Sequence, residues 1–180
     1  MCQNLPEDSP ELFLKTRGKD VQIFPLAKII RPGVIEIGDN SMIDDFTFIF
    51  GGKGISLGRY VHIASFVSIV GGGKLTMGDY SVLACGSRIL TGTDSYYNNK
   101  RMSSALPLDQ RNVIRGEVII GKDAFIGTNV VVHPNVTIGE GAIIGSNSLV
   151  IKDIEPWSIN VGSPCRKIKH RPMIAEGNDH

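Results

Sequence analysis

The residues that could do chemistry fall in a few places along the chain. The segment 91–117, TGTDSYYNNKRMSSALPLDQRNVIRGE, gathers Asp94, Tyr96, Tyr97, Arg101, Asp109, Gln110 and Arg111, a polar and aromatic set suited to contacting a ligand. Four histidines, His62, His133, His170 and His180, are spread outside it. An imidazole titrates near neutral pH and is the commonest general base. His133 precedes Pro134 in a turn, and the last two lie in a polar tail, which leaves His62 as the histidine with most claim to a role. Cys2, Cys85 and Cys165 are odd in number, lack CxxC spacing and have nothing that places a histidine beside them, so free thiols in a reducing compartment are expected. No metal site is expected either, because His62 and His133 are far apart and neither has a close histidine neighbour.

What must hold these residues is a repeat. Residues 37–56 and 57–76 align as IGDNSMIDDFTFIFGGKGIS over LGRYVHIASFVSIVGGGKLT, and MGDYSVLACGSRIL begins a third line. Ile37, Leu57 and Met77 head the lines, each followed by Gly; Ile43, Ile63 and Leu83 stand six residues on, and Ile49, Ile69 and Ile89 six further. An amphipathic helix or strand would repeat near 3.6 or 2. A period of six grouped by three specifies a β-helix of hexapeptide repeats, each step one short side of a triangular coil with one aliphatic side chain inward. The frame returns after the interruption with Ile120, Ile126 and Val132, then Ile138, Ile144 and Val150.

The expected fold is therefore all-β, a parallel β-helix of about five full coils at 37–56, 57–76, 77–119, 120–137 and 138–154. The segment 91–117 is a loop extruded from a coil corner. A partial coil starts near residue 20, so the organisation reads as an N-terminal cap segment 1–19, the β-helix 20–156 and a C-terminal segment 157–180. A short helix over 7–17, with Ser9 as cap and Pro10 in its first turn, covers the open end of the stack. Pro156 ends the last coil, GSPC forms a tight turn, and the terminal residues form a short helix or a frayed tail. By frame, His62 precedes the inward Ile63 and so faces outward.

Composition adds limits. One domain is natural for 180 residues, and 19 basic against 18 acidic residues give no excess charge for nucleic acid or an anionic membrane. No apolar run approaches the length of a membrane span, and MCQNLPEDSPELFLK lacks the charged and apolar regions of a signal peptide, so a cytoplasmic protein is expected.

The stretch IGKDAFIGTNVVVHPNVTIGEGAIIGSNSLVIKDIEPWSINVGSPCRKIK resembles the hexapeptide-repeat acyltransferases: the maltose and galactoside, virginiamycin and xenobiotic, and nucleotide-aminosugar acetyltransferases. The motifs that carry the likeness are Pro134–Asn135, Val136–Gly139, Lys152–Pro156 and Gly162–Ile168. GGGKLTMGDYSVLACGSRILTGTDSYYNN followed by RNVIRGEVIIGKDAFIG resembles the branch acting on sugars of bacterial surface polysaccharides. The resemblance implies a left-handed coil, a homotrimer, acetyl-CoA in the groove between prisms, and the acceptor beneath the extruded loop. It also implies a histidine base at the start of that loop, and here the sequence departs: the place reads TGTDSYY, with Asp94 nearest the missing histidine. His62 and Asp94 are thus the catalytic candidates. Tyr96, Tyr97 and Arg101 are candidates for contacting the acceptor. By matching to the family pattern, Thr128 and Ser146, with Gly127 and Gly145, would let pantetheine approach backbone. Phe125 stands where relatives carry a ligand-packing aromatic, and Lys152, Arg166 and Lys169 would meet the phosphates of CoA.

The resemblance leaves two acceptors in contention. A sugar hydroxyl needs a well-placed base, whereas a sugar amine is partly unprotonated near neutral pH and asks for less. The missing loop histidine favours the amine of a nucleotide-linked amino-deoxysugar over sugar or polysaccharide O-acetylation. A zinc carbonic anhydrase on the same coil would need three histidines at an interface, a bare scaffold would not explain loop and basic end together, and a nucleotidyltransferase would need a further α/β domain.

Overall fold

The computed structural model describes residues 13–174. The described chain winds through three sheets in rotation, of six, eight and six strands, all parallel but for the last strand of the second, and makes about seven turns. The first face stacks Thr16–Arg17, Ile35–Ile37, Gly54–Leu57, Lys74–Met77, Glu117–Ile120 and Val136–Ile138. The second runs from Gln22–Ile23 through His62–Ile63 and Phe125–Ile126 to Ser158–Val161, and the third from Lys28–Ile30 to Leu149–Val150.

Register follows the repeat. Ile23, Ile43, Ile63, Leu83, Ile126 and Ile144 are direct neighbours up the second face. All fifteen aliphatic positions picked out by the six-residue frame point inward, none more than 4% exposed. The first face adds a second inward residue per coil (Ile35, Ile55, Leu75, Val118 and Val136), which the single-residue frame passes over. The aliphatic-then-Gly signature has a packing cause. A Cβ on Gly121 would lie 2.5 Å from the Glu140 nitrogen, and one on Gly38 would lie 2.6 Å from the Gly58 carbonyl carbon, so side chains are excluded where adjacent coils pass a corner.

The loop leaves between the third and first faces, and Glu117–Ile120 resumes directly on Lys74–Met77. Its root is ordered: Gly92–Asp94 pairs antiparallel with Val113–Arg115, and single turns form at Tyr97–Asn99 and Leu108–Gln110. Thr91 ties the exit. Its hydroxyl donates to the Val70 carbonyl (2.9 Å) and accepts from the Gly73 amide (3.0 Å).

Both ends differ from expectation. In the described part of the 7–17 segment Thr16–Arg17 pairs as a strand on Glu36–Ile37, while residues 7–12 of the expected helix lie outside the described residues. Pairing of the full length of the first strand makes the N-terminal coil complete. Pro156 does not end the coil. It stands at a corner position whose amide, as at Arg59, bonds to an Asp side chain and not to the ladder, so proline's missing N–H costs no ladder bond. Ser158–Val161 then continues the second face, and Arg166–His170 folds back antiparallel on it as a strand, covering the edge, while residues 175–180 of the expected terminal helix or tail lie outside the described residues. Between them lies a cis Ser163–Pro164 peptide.

The inward column sets a stability prediction. Ile126→Ala, at a side chain with no exposure, is expected to cost about 2–5 kcal/mol, against under about 0.5 kcal/mol for the outward Ser56→Ala. Urea unfolding measures both. Equal midpoints for the two variants would contradict the coil frame.

Candidate active site

The structure distributes the candidate residues over three places. The first is the outer surface of the second face. His62 lies in one outward column with Met42, Val82, Phe125 and Ile143, and Phe125 sits two strands above it, half-exposed. At about 4.8 Å per coil, roughly 10 Å separates the two side chains along the stack. His62 is not alone. Its Nε2 lies 3.1 Å from Oδ2 of Asp44 on the preceding coil. An ionised carboxylate only accepts, so Nε2 carries the proton and Nδ1 is left as the basic nitrogen. Asp44 escaped the sequence reading because its partner is eighteen residues away, one coil on; the signal was its place one step past the inward Ile43.

Further along the same strands, Gly127–Thr128 stacks under Gly145–Ser146, with the Asn147 amide bonded to the Thr128 carbonyl at 2.9 Å. Thr128 and Ser146 are exposed. The glycines have a local cause as well: a Cβ on Gly127 would meet the Ile144 carbonyl oxygen at 2.6 Å, and one on Gly145 the Val161 side chain at 2.7 Å.

The second place is a cleft of about 350 Å³ at the C-terminal end of the stack, lined by Lys152, Cys165, Arg166 and Lys167 among others. Lys152 and Arg166 therefore share one concavity. Lys169 does not line it; Lys167 does, paired with Glu155 at 2.5 Å. That hydrogen bond holds the Glu155 carboxyl below the usual carboxylate range. Burial pushes the Cys165 thiol up, against an opposing hydrogen bond from Ser148, so it stays protonated and unreactive beside the cleft.

The third place is the loop. Asp94 is held by Arg111, whose Nη2 and Nε lie 2.9 and 3.3 Å from Oδ1, and both side chains are only 10% exposed. Arg111 Nη1 also donates to the Ser104 carbonyl (2.7 Å), so one guanidinium bolts the loop's root to its far arm. Both bonds to Asp94 fall on Oδ1, which leaves Oδ2 to receive a further donor. A carboxylate so committed is better fitted to hold an ammonium or orient an acceptor than to travel as a base. Tyr96 and Tyr97 pack against each other with centroids 4.8 Å apart and are 68% and 61% exposed. Arg101 lines a separate shallow opening with Met102, Ser103, Leu106 and Gln110.

Within one chain His62 and Asp94 are not brought together. His62 faces out from the second face, whereas Asp94 rises from the corner between the third and first.

A cationic cleft at one end of the stack and a polar loop leaving its middle are compatible with group transfer, and comparison with known proteins agrees. Residues 117–152 match the family described as bacterial transferase hexapeptide (six repeats). The chain is 37% identical over 162 residues to dTDP-4-amino-4,6-dideoxy-D-glucose acyltransferase of Escherichia coli, covering 89% of this chain and 84% of that one. It is 26% identical over 180 residues to galactoside O-acetyltransferase of E. coli K12, covering 94% and 82%. Among solved structures it is similar to AntD, an N-acyltransferase from Bacillus cereus in complex with dTDP and 3-hydroxybutyryl-CoA (TM-score 0.83, 38% identity, 88% and 84% covered). The chain belongs to the hexapeptide-repeat acyltransferases. At 37–38% identity over nearly nine tenths of its length, it is similar to an acyltransferase named for a dTDP-linked amino sugar and to an N-acyltransferase bound to dTDP.

Arg111→Ala is expected to speed amide hydrogen exchange across 92–115 by roughly 100-fold, since it leaves a buried carboxylate unpaired, with no change at 120–138. Unaltered exchange at Ser95, whose amide bonds to the Asn112 carbonyl, would show that the ion pair does not hold the loop.

Proposed function

We propose that the protein transfers an acetyl group from acetyl-CoA to the amino group of a nucleotide-linked amino-deoxysugar, in the cytoplasm, for surface-polysaccharide synthesis, and works as a homotrimer. The observation that carries the acceptor class is the loop: no histidine stands at its start, and Asp94 is engaged by Arg111. That arrangement suits an amine, which needs less help than a hydroxyl. The dTDP-amino-sugar relatives support the same reading. Homotrimer formation is supported by the separation of His62 from Asp94 in one chain, which a neighbouring prism's loop would close.

The chemistry follows from the parts. Lys152 and Arg166 hold the phosphates of acetyl-CoA at the C-terminal end, with pantetheine passing Ser146 and Thr128 toward the lower coils. The amine nitrogen attacks the thioester carbonyl, forming the C–N bond. The tetrahedral intermediate collapses with cleavage of C–S, and the nitrogen's proton passes to His62 Nδ1 or to the departing thiolate. Asp44 keeps the imidazole in the tautomer that receives it. Asp94 anchors the acceptor.

A panel of nucleotide-linked amino sugars offered with acetyl-CoA, following free thiol, tests the proposal. Turnover of hydroxyl acceptors such as galactosides in preference to every amine would overturn it.

Lys152→Ala and Arg166→Ala are expected to raise KM for acetyl-CoA several-fold, with smaller effect at saturation, because phosphate contacts bind ground and transition states alike. A large fall in kcat at unchanged KM contradicts the assignment. His62→Ala is expected to lower kcat by at least about tenfold, short of the 10²–10⁴ typical of a required base. If the acid limb of kcat against pH survives unchanged in His62→Ala, the titrating group is not His62 and the substrate amine takes its place.

A further inference from the structure

The second and third faces meet at a corner whose residues stand three beyond the inward column of the second face. In order up the stack they are Leu26, Phe46, Phe66, Gly86, Asn129 and Asn147. From Phe46 onward all have positive φ, between 56° and 71°. Asn and Gly tolerate that conformation; a phenylalanine there is an outlier under backbone strain. Phe46 and Phe66 nonetheless stack nearly parallel, centroids 5.2 Å apart at 8°, and stay 55% and 62% exposed. The core gains little from them.

A comparable tyrosine pair on the neighbouring corner, Tyr60 and Tyr80, is closed by its own chain, with Lys122 over the Tyr80 ring at 5.6 Å. Among the described residues the phenylalanine pair has no such lid. The next rung above Phe66 is Gly86, which has no side chain, and Asn129 leans its amide oxygen down against it. Arg88 brings its guanidinium to the same rung, with Nη1 donating to the Gly86 carbonyl at 2.9 Å. The His62–Asp44 pair lies on the same two coils, Asp44 two residues before Phe46 and His62 four before Phe66.

We propose that this corner binds the nucleoside diphosphate part of the acceptor, with the base stacked on the open face of Phe66 and the diphosphate on Arg88. The inference rests on the nucleotide-linked acceptor proposed above. A parallel aromatic face suits any planar base, and a guanidinium suits phosphate oxygens through its planar fork. The adenine of CoA has the same chemistry, but its phosphates are assigned to Lys152 and Arg166, three and four coils toward the other end, roughly 14–19 Å away along the stack.

Calorimetric titration of the intact protein with dTDP, and separately with acetyl-CoA, tests this on wild type, Phe66→Leu, Phe66→Tyr and Arg88→Gln. Phe66→Leu is expected to weaken dTDP about tenfold, and Phe66→Tyr, which keeps the ring, by less than about twofold. Arg88→Gln is expected to weaken it by about tenfold and to flatten its salt dependence. Acetyl-CoA affinity stays unchanged in all three. Unchanged dTDP affinity in Phe66→Leu and Arg88→Gln overturns the platform alone. Loss of acetyl-CoA affinity instead assigns the corner to the other base and also overturns it. Loss of both ligands together with a smaller sedimentation coefficient makes the corner a contact between copies, again against the proposal. Wild-type protein that binds acetyl-CoA but no nucleoside diphosphate overturns the acceptor reading and the platform together.

Discussion

Every part of this molecule depends on the parallel backbone ladder from each coil to the next. Strands of two to four residues have no stability of their own; they persist because each is bonded to the coil above and below and encloses an aliphatic column. The ladder allows no slip, since moving one coil by one residue would turn Ile63 outward and His62 inward. Corners are where this is most exacting. Gly38 and Gly121 leave room for the next coil's backbone, and residues such as Asn40 and Asp123 take the left-handed turn.

The same register arranges the outside. Residues twenty or eighteen apart become neighbours in columns, so Thr128 meets Ser146 and Phe66 meets Phe46, while His62 reaches diagonally to Asp44, two residues past its column neighbour Met42. The long axis orders these columns along one path, with a cationic cleft at the C-terminal end and the imidazole and aromatic rings on the N-terminal coils. A rod-like co-substrate with charge at one end and a thioester at the other fits such a layout. Where the chain leaves the ladder, other bonds must replace it. Thr91 secures the exit, the 92–94 and 113–115 hairpin extends it, and the Asp94–Arg111 pair closes it.

The sequence by itself determined the coil. A side chain's inward or outward sense follows from its position in a six-residue step, and all the aliphatic residues so chosen are buried. It also determined where the coil is interrupted, because loss of frame is visible without knowing what replaces it. The ends were less legible: Thr16–Arg17 and Ser158–Val161 belong to the stack although a capping pattern and a proline argued otherwise, since a neighbouring coil's edge outweighs local propensity. Only the tertiary structure decided which polar groups meet. Asp44 with His62 and Arg111 with Asp94 are pairings set by coil stacking or by the loop's path. Lys167 in the cleft in place of Lys169 likewise follows from a bulge in the last strand pair. The physical reason is one of range. Burial is a property of each residue's place in a short repeat, whereas a hydrogen bond or ion pair needs two side chains within about 3 Å, and that distance exists only once the coils are stacked.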